Sequence, residues 1–335
     1  RYRVDGMTKD GAYLSLEVEP WEYDLLLEQT KNHYKMKKKM PEMAGKEVIM
    51  ITETARAKIN LTLWVGRKRP DGYHSIDSVM HNISLSDEIT LEKSNEILLT
   101  VLEGDAPAGQ ENLMVRAAEA FFAVTELEGG VFLTLKKRIP SGAGMGGGSA
   151  DAAAVLRGLS KAYEHPLSKE DLLKVAARIG ADVPFCVEGG ASRCQGIGEI
   201  LTPARAWEGL PLVIAMPPLF MPTGPAYQKL DERKELSIDK TEDCLKALEE
   251  RDWEGLADSL SNDFELGLFP NSPGLLSAAR YVQSFDCPAV MTGSGSAFYL
   301  IPGSHEEGQW IVEQIHEEKP DWFAQTAETV GRHEL

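Results

Sequence analysis

Between residues 48 and 94 apolar and polar residues alternate almost without a break (VIMITETARAKINLTLWVGRKRPDGYHSIDSVMHNISLSDEITLEKS). A period of two carried by β-branched residues predicts two or three strands, with Arg69-Pro70-Asp71-Gly72 as a turn. The period then changes. Residues 112–125 (NLMVRAAEAFFAVT) read as a helix, and 130–139 (GVFLTLKKRI) return to a strand stopped by Pro140. Residues 149–163 (SADAAAVLRGLSKAY) are an alanine-rich helix with Ser149 as N-cap. Residues 168–178 form another, capped by Ser168, carrying Asp171 at its third position and ending at Gly180. The apolar run in GLPLVIAMPP is a buried strand, and acidic helices cover 239–250 and 253–261. A second glycine turn, MTGSGSAFYLI, leads into a strand; 306–315 are helical and 320–330 read as charged edge material. Residues 1–49 stand apart. EPWEYDLLLEQTKNHYKMKKK fits an amphipathic helix with Trp21, Leu25 and Leu26 on one face, followed by Pro41. The pattern sets three units: a flexible extension at 1–49, a domain at 50–206 and a second at 207–335, divided near Trp207. With Arg1 in first place, the extension is expected to belong to a longer or trimmed product.

The stretch with the clearest chemistry is 140–159, PSGAGMGGGSADAAAVLRGL. Gly142, Gly144, Gly146, Gly147 and Gly148 fall within seven residues, between a strand and a helix N-terminus. Bare backbone N–H groups there can converge on an anion, backed by the positive end of the helix dipole, which suits a polyphosphate. No lysine follows the glycines, so this is not the G-x-x-x-x-G-K-[ST] loop. Gly142, Gly144 and Gly147 have dinucleotide spacing, but no acidic residue closes a following strand about twenty residues on. A different nucleotide fold is expected.

Length and charge narrow the classes. A chain of 335 residues buries a sizeable core. A net charge of −17 argues against general binding to nucleic acid or anionic membranes, so an anionic substrate must be held by local backbone and a few placed cations. Lys35, Lys37, Lys38 and Lys39 then read as a solvated linker. Cys186, Cys194, Cys244 and Cys287 include no C-x-x-C pair and suit buried apolar roles in a reducing cytoplasm. No apolar run of membrane length and no signal-peptide pattern occurs, which reads as a soluble, cytoplasmic chain.

Three further positions are open in the pattern. Alternation puts Lys58, Asn60 and Thr62 on one polar face, either solvent-facing or lining a cleft. Tyr73 and His74 follow the turn, as loop packing or as a stacking and hydrogen-bonding platform for a ring. Asp182 lies just past a helix end, held at a site or capping an element.

Taken together, AKINLTLWVGRKRPDGYHSIDSVM, PSGAGMGGGSADAAA and MTGSGSAF resemble the three signatures of the GHMP small-molecule kinases. AKINL, DGYH and GADVPFCVEGGASRCQGIGE narrow the likeness to the branch that phosphorylates a CDP-linked methylerythritol in the non-mevalonate route to isoprenoids. The likeness spans roughly residues 51–302. It implies an α/β (α+β) two-domain fold with the site in the cleft between the domains. It also implies transfer of the ATP γ-phosphoryl group to the tertiary 2-hydroxyl of that substrate. Matched to the family, Asp182 is the base and Lys58 its cationic partner. Pro140 and the glycines through Ser149 hold the ATP phosphates, with Asn112 and Lys137 near adenine. Mg²⁺ accompanies the nucleotide, with Ser149 its main protein contact and Asp151 a weaker candidate. On the substrate side stand Asn60, Tyr73, His74, Thr223 and Tyr227, with the base stacked on Tyr73, read at His74 and flanked by Tyr227 as a second aromatic. Met145 replaces a usual leucine, Ala150 a common serine, and CQGIGE a run that more often starts Ala-Arg. The alternatives are another kinase of the same family, acting on a sugar, homoserine or mevalonate-like alcohol, and a non-catalytic nucleotide-binding protein. Monomer and homodimer remain open.

Overall fold

The computed structural model describes residues 2–7, 13–18, 50–107, 109–233 and 236–333. Two short strands come first, β1 (Tyr2–Met7) and β2 (Tyr13–Val18). The alternating stretch folds as a long antiparallel pair, β3 (Met50–Lys68) and β4 (His74–Ser94), followed by β5 (Leu98–Glu103). Then come α1 (Leu113–Thr125), β6 (Gly130–Lys136), α2 (Gly147–Ala162), α3 (Lys169–Ile179) and α4 (Val183–Glu188). β7 (Ala191–Gly196) and β8 (Ile200–Ala204) complete this half. The second half opens with β9 (Pro211–Met216), α5 (Thr223–Asp231), α6 (Thr241–Glu250) and α7 (Trp253–Ser259). It continues with β10 (Ser261–Asn262), α8 (Asp263–Leu268), α9 (Pro273–Val282), β11 (Ala289–Met291) and β12 (Phe298–Leu300). It ends with α10 (His305–Glu318) and β13 (Phe323–Glu328).

Among the described residues these strands form two sheets. The larger runs β10-β3-β4-β6-β5-β1-β2, with β7 also paired to β4 and β8 to β7. The smaller runs β11-β12-β9-β13. Residues 320–330 thus include an edge strand, antiparallel to β9. Its charged sequence masked the fact that Ala324 and Ala327 face the core. The β7–β8 pair was also not separated in the sequence, because glycines and Pro203 interrupt its alternation. The chain passes from one sheet to the other between β8 and β9, around Trp207, yet β10 returns to pair in parallel with β3. We keep 206/207 as a proposed domain division on the first fact. The amphipathic stretch at 19–39 and the lysine run lie outside the described residues.

Helix α2 explains how the site is held. Its alanines let it lie flat on the sheet, and residues 150–160 are all buried. At Gly158 a Cβ would fall 2.5 Å from Leu91 Cδ1, so any larger residue requires the Leu91 side chain to shift. Arg157, buried in the same face, donates to Glu53 at 3.0 Å and to the carbonyls of Cys186 and Thr54 at 2.8 Å each. A buried guanidinium with these partners is satisfied and pins α2 to β3 and α4. A further apolar cluster joins the halves: Ile59 and Leu61 of β3, Ile139 and Met145 beside the glycine stretch, and Ile214 of β9. Cys186, Cys194 and Cys244 are buried and Cys287 partly so, and burial pushes all four thiols up. No helix among the described residues is long and apolar enough to cross a membrane.

Candidate active site

The glycine stretch begins α2 earlier than its sequence suggests. Gly146 takes the N-cap position with φ of +67°, Gly147 and Gly148 form the first turn, and Ser149 is the third helical residue. Ser149 is therefore not the N-cap. The left-handed turn at Gly146 lets the helix start there, which carries the Ser149 hydroxyl into the first turn. Gly142 and Gly144 also have positive φ, +70° and +75°. A Cβ on Gly144 would sit 2.2 Å from the Thr292 carbonyl oxygen, and one on Gly293 2.5 Å from Gly144 O. The two glycine turns are thus interlocked backbone to backbone, and Asn262 Nδ2 ties the second by donating to Met291 O at 2.6 Å and Gly293 O at 2.8 Å.

Lys58 and Asn60 are brought against this junction. β3 changes register between Arg56 and Lys58 and again between Asn60 and Thr62. Such bulges re-aim side chains beside active sites. Lys58 N then donates to Met145 O at 3.0 Å instead of to a strand partner. Its ammonium is buried, donates to Asn60 Oδ1 at 2.7 Å, and lies 4.0 Å from Asp182 Oδ2. The polar face of β3 thus lines a cleft. Asn60 is engaged at both its oxygen and its nitrogen: Nδ2 donates to Ser78 Oγ at 2.8 Å, and Oδ1 also accepts from Gly293 N at 3.0 Å. Asp182 occupies the N-cap position of α4, but its side chain makes no capping hydrogen bond, which leaves the carboxylate open to the cleft. The ammonium beside it and half-exposure of the carboxylate suit a proton acceptor.

One pocket of about 610 Å³ runs from Lys58, Asp182 and Gly146 to Tyr73, His74, Tyr227 and Asp231. Tyr73 is 60% exposed at its rim. His74 is buried and stacks on Tyr227, with centroids 4.8 Å apart and planes at 17°. Tyr227 also meets Phe264 edge-on at 4.8 Å, so the ring expected as a second stacking surface is occupied by protein. Burial, helped by Asp182, pushes the Tyr227 phenol up to about 12, and it remains a neutral wall. Thr223 Oγ1 lies 3.0 Å from Ser294 Oγ, joining α5 to the second glycine turn.

An adjoining groove of about 400 Å³ is lined by Pro140 to Ser149, Asn112, Lys137 and Asp151. Asn112 caps α1, accepting from Met114 N at 2.9 Å and donating to Pro107 O at 2.9 Å. Lys137 lies between Asp87 and Asp151, at 2.5 Å and 2.7 Å. Burial disfavours its charge, but the two carboxylates outweigh that and raise it. Both residues line the groove with their polar ends already engaged. Burial lifts the Asp151 carboxyl even beside that ammonium, and its Oδ1 is buried without a partner. That orphaned oxygen and the Ser149 hydroxyl are hard donors in the groove, and they fit Mg²⁺. Among the described residues no three His, Cys, Asp or Glu side chains gather into a metal site.

Asp231, Lys68 and Asp87 were not singled out in the sequence, and Ser294 was named only as part of the second glycine turn. Asp231 carried one usable signal, its position four residues after Tyr227 on a helix.

Comparison with known proteins agrees with this geometry. Residues 112–190 match the family model "GHMP kinases N terminal domain", and 244–321 match "GHMP kinases C terminal". A 4-diphosphocytidyl-2-C-methyl-D-erythritol kinase of Alkaliphilus metalliredigens is 38% identical over 264 residues, covering 78% of this chain and 91% of the relative. The corresponding enzyme of Synechococcus sp. (strain JA-3-3Ab) is 37% identical over 292 residues, covering 83% and 94%. A crystal structure of 4-(cytidine 5′-diphospho)-2C-methyl-D-erythritol kinase superposes with a TM-score of 0.71 at 32% identity, covering 84% of this chain and all of that one. A homoserine kinase from Cytophaga hutchinsonii shares the fold, with a TM-score of 0.67 at 16% identity, covering 87% and 98%.

Proposed function

We propose that this chain, which belongs to the GHMP kinases and among them to the 4-diphosphocytidyl-2-C-methyl-D-erythritol kinases, phosphorylates the 2-hydroxyl of 4-diphosphocytidyl-2-C-methyl-D-erythritol with ATP. That activity places it in the non-mevalonate route to isoprenoid precursors. The observation that carries the reading is one continuous pocket with an ammonium–carboxylate pair at one end and an aromatic–histidine platform at the other. The pair suits a reacting hydroxyl and the platform a nucleobase.

In this reading the backbone N–H groups from Gly142 to Ser149 bind the ATP phosphates at the start of α2. Asp182 takes the proton from the 2-hydroxyl as its oxygen bonds to the γ-phosphorus, and the bond from that phosphorus to ADP breaks. Lys58 stabilises the developing alkoxide, and Asn60 holds the ammonium in place. Ser149, with Asp151 behind it, would hold Mg²⁺, which when bound offsets phosphate charge. Tyr73 supplies the stacking face for cytosine, and His74, backed by Tyr227, reads its edge. Thr223 and Ser294 close the pocket between these ends.

The test is ADP release by purified protein with MgATP across a panel of alcohols. The CDP-linked methylerythritol should give turnover at least a hundredfold above homoserine, mevalonate or a sugar. Equal or better turnover with one of those would replace this reading with another kinase of the family, and tight ATP binding without turnover would make it a nucleotide-binding protein.

A further inference from the structure

Resting on the cytidine-linked substrate proposed above, we propose that Asp231 is a positioning residue. It holds the proton of His74 on Nε2 and so leaves Nδ1 as an acceptor that selects a pyrimidine with an exocyclic amino group. His74 Nε2 lies 2.7 Å from Asp231 Oδ1. A carboxylate oxygen only accepts, so Nε2 donates. In the neutral ring the other nitrogen then carries a lone pair, and among the described residues Nδ1 has no protein partner.

The same helix fixes the ring a second time. Tyr227 and Asp231 are four residues apart on α5 and therefore share a face. Tyr227 lies flat on the imidazole and sets its plane, while Asp231 holds one edge. With plane and edge both set, the ring does not turn over, and the remaining edge keeps one chemical identity. Helix propensity does not account for Asp231. It is the last residue of α5, where the negative end of the dipole disfavours a carboxylate. Its neighbours Lys229 and Glu232 pair with each other. A residue that breaks a local rule at the mouth of a pocket is expected to be there for the site.

The chemistry of the base follows. Cytosine presents an amino donor at C4, whereas uracil presents a carbonyl acceptor. An Nδ1 lone pair meets the first with a hydrogen bond and the second with a lone pair. Sites built around one such bond reject the analogue that cannot make it.

The experiment compares wild type, Asp231→Ala and Asp231→Asn with the cytidine-linked substrate and its uridine-linked analogue. The ratio of kcat/KM for cytidine over uridine should fall at least tenfold in Asp231→Ala, with the loss for the cytidine substrate in KM rather than kcat. Asp231→Asn, which still offers an oxygen to Nε2, should retain more of the ratio. Histidine-labelled ¹⁵N spectra should show His74 protonated on Nε2 in the wild type and as mixed tautomers in Asp231→Ala. A thermal melt confirms that each variant is folded. A folded Asp231→Ala enzyme with the wild-type ratio overturns the proposal, as does a wild-type ring protonated only on Nδ1. Wild-type protein that turns over neither nucleotide-linked substrate overturns the functional reading and the selectivity with it, and the ¹⁵N spectra then decide the Asp231–His74 pairing on their own.

Discussion

The carboxylate of Asp182 is the side chain on which phosphoryl transfer is expected to depend most. It stands where a helix cap belongs and caps nothing, and its nearest cation is Lys58 at 4.0 Å. Replacing it with asparagine keeps the shape and removes the proton acceptor. Asp182→Asn should lower kcat on the order of 10²-fold or more. The ATP dissociation constant measured by calorimetry should change less than threefold, because the glycine turn is untouched. Activity within threefold of wild type would remove Asp182 from the mechanism. Much at this scale was readable beforehand. Alternation put Lys58 and Asn60 on one face, and the turn announced Tyr73 and His74. Which of two environments Lys58 meets was not readable, since its partners Met145 and Asp182 lie 87 and 124 residues away in sequence. Asp231 was hidden for the same reason: its partner lies 157 residues away.

At the scale of elements, the first strands set a prediction about the edge of the larger sheet. β1 pairs antiparallel with β5 over Arg3 to Gly6, and β2 lies outside β1. Every residue assigned a chemical role lies after Met50. A chain beginning at Met50 should therefore keep phosphoryl transfer within about threefold. It should lose some stability, because β5 then presents an unpaired edge. Melting curves and steady-state rates of both chains check this. Loss of turnover would show that the extension shapes the site and would overturn the proposed division at 49/50. The helices were mostly legible, because their caps are local. Ser168 accepts from Asp171 N at 3.1 Å and Asn112 from Met114 N, as their residue types suggest. The start of α2 was not, because glycines at 146–148 are as compatible with a loop as with a helical turn. Contact with β3 and the second glycine turn decides between them.

For the whole molecule, the junction between the two sheets is expected to lose stability in acid. His81 is fully buried on β4, its Nδ1 donates to Asn82 O at 2.9 Å, and its Nε2 accepts from Trp207 N at 3.2 Å. Trp207 belongs to the link where the chain changes sheets. Asn82 O also accepts from Val330 N at 3.0 Å, so the C-terminal stretch closes onto the same point. The sequence put a proposed domain boundary near Trp207 but gave no sign of His81, whose partner is 126 residues distant. A neutral ring satisfies both contacts, and an imidazolium would leave Trp207 N facing a donor. Burial accordingly lowers His81 to about 4, against the opposing pull of the Asn82 carbonyl. The unfolded chain takes up this proton near pH 6.5 and the folded one only near 4, so the contribution is present above 6.5 and is lost as pH falls between them. His333, lowered to about 3 by burial and then by Arg157, acts in the same direction. Glu265, raised by burial to about 7, acts in the opposite one, so the total curve does not isolate His81. The difference between wild type and His81→Gln does. Measured by urea unfolding from pH 7.5 to 5, the wild type should lose stability relative to the variant by up to ~1.4 kcal/mol per pH unit below 6.5. Parallel pH curves for the two proteins would show that His81 does not couple the junction to acid.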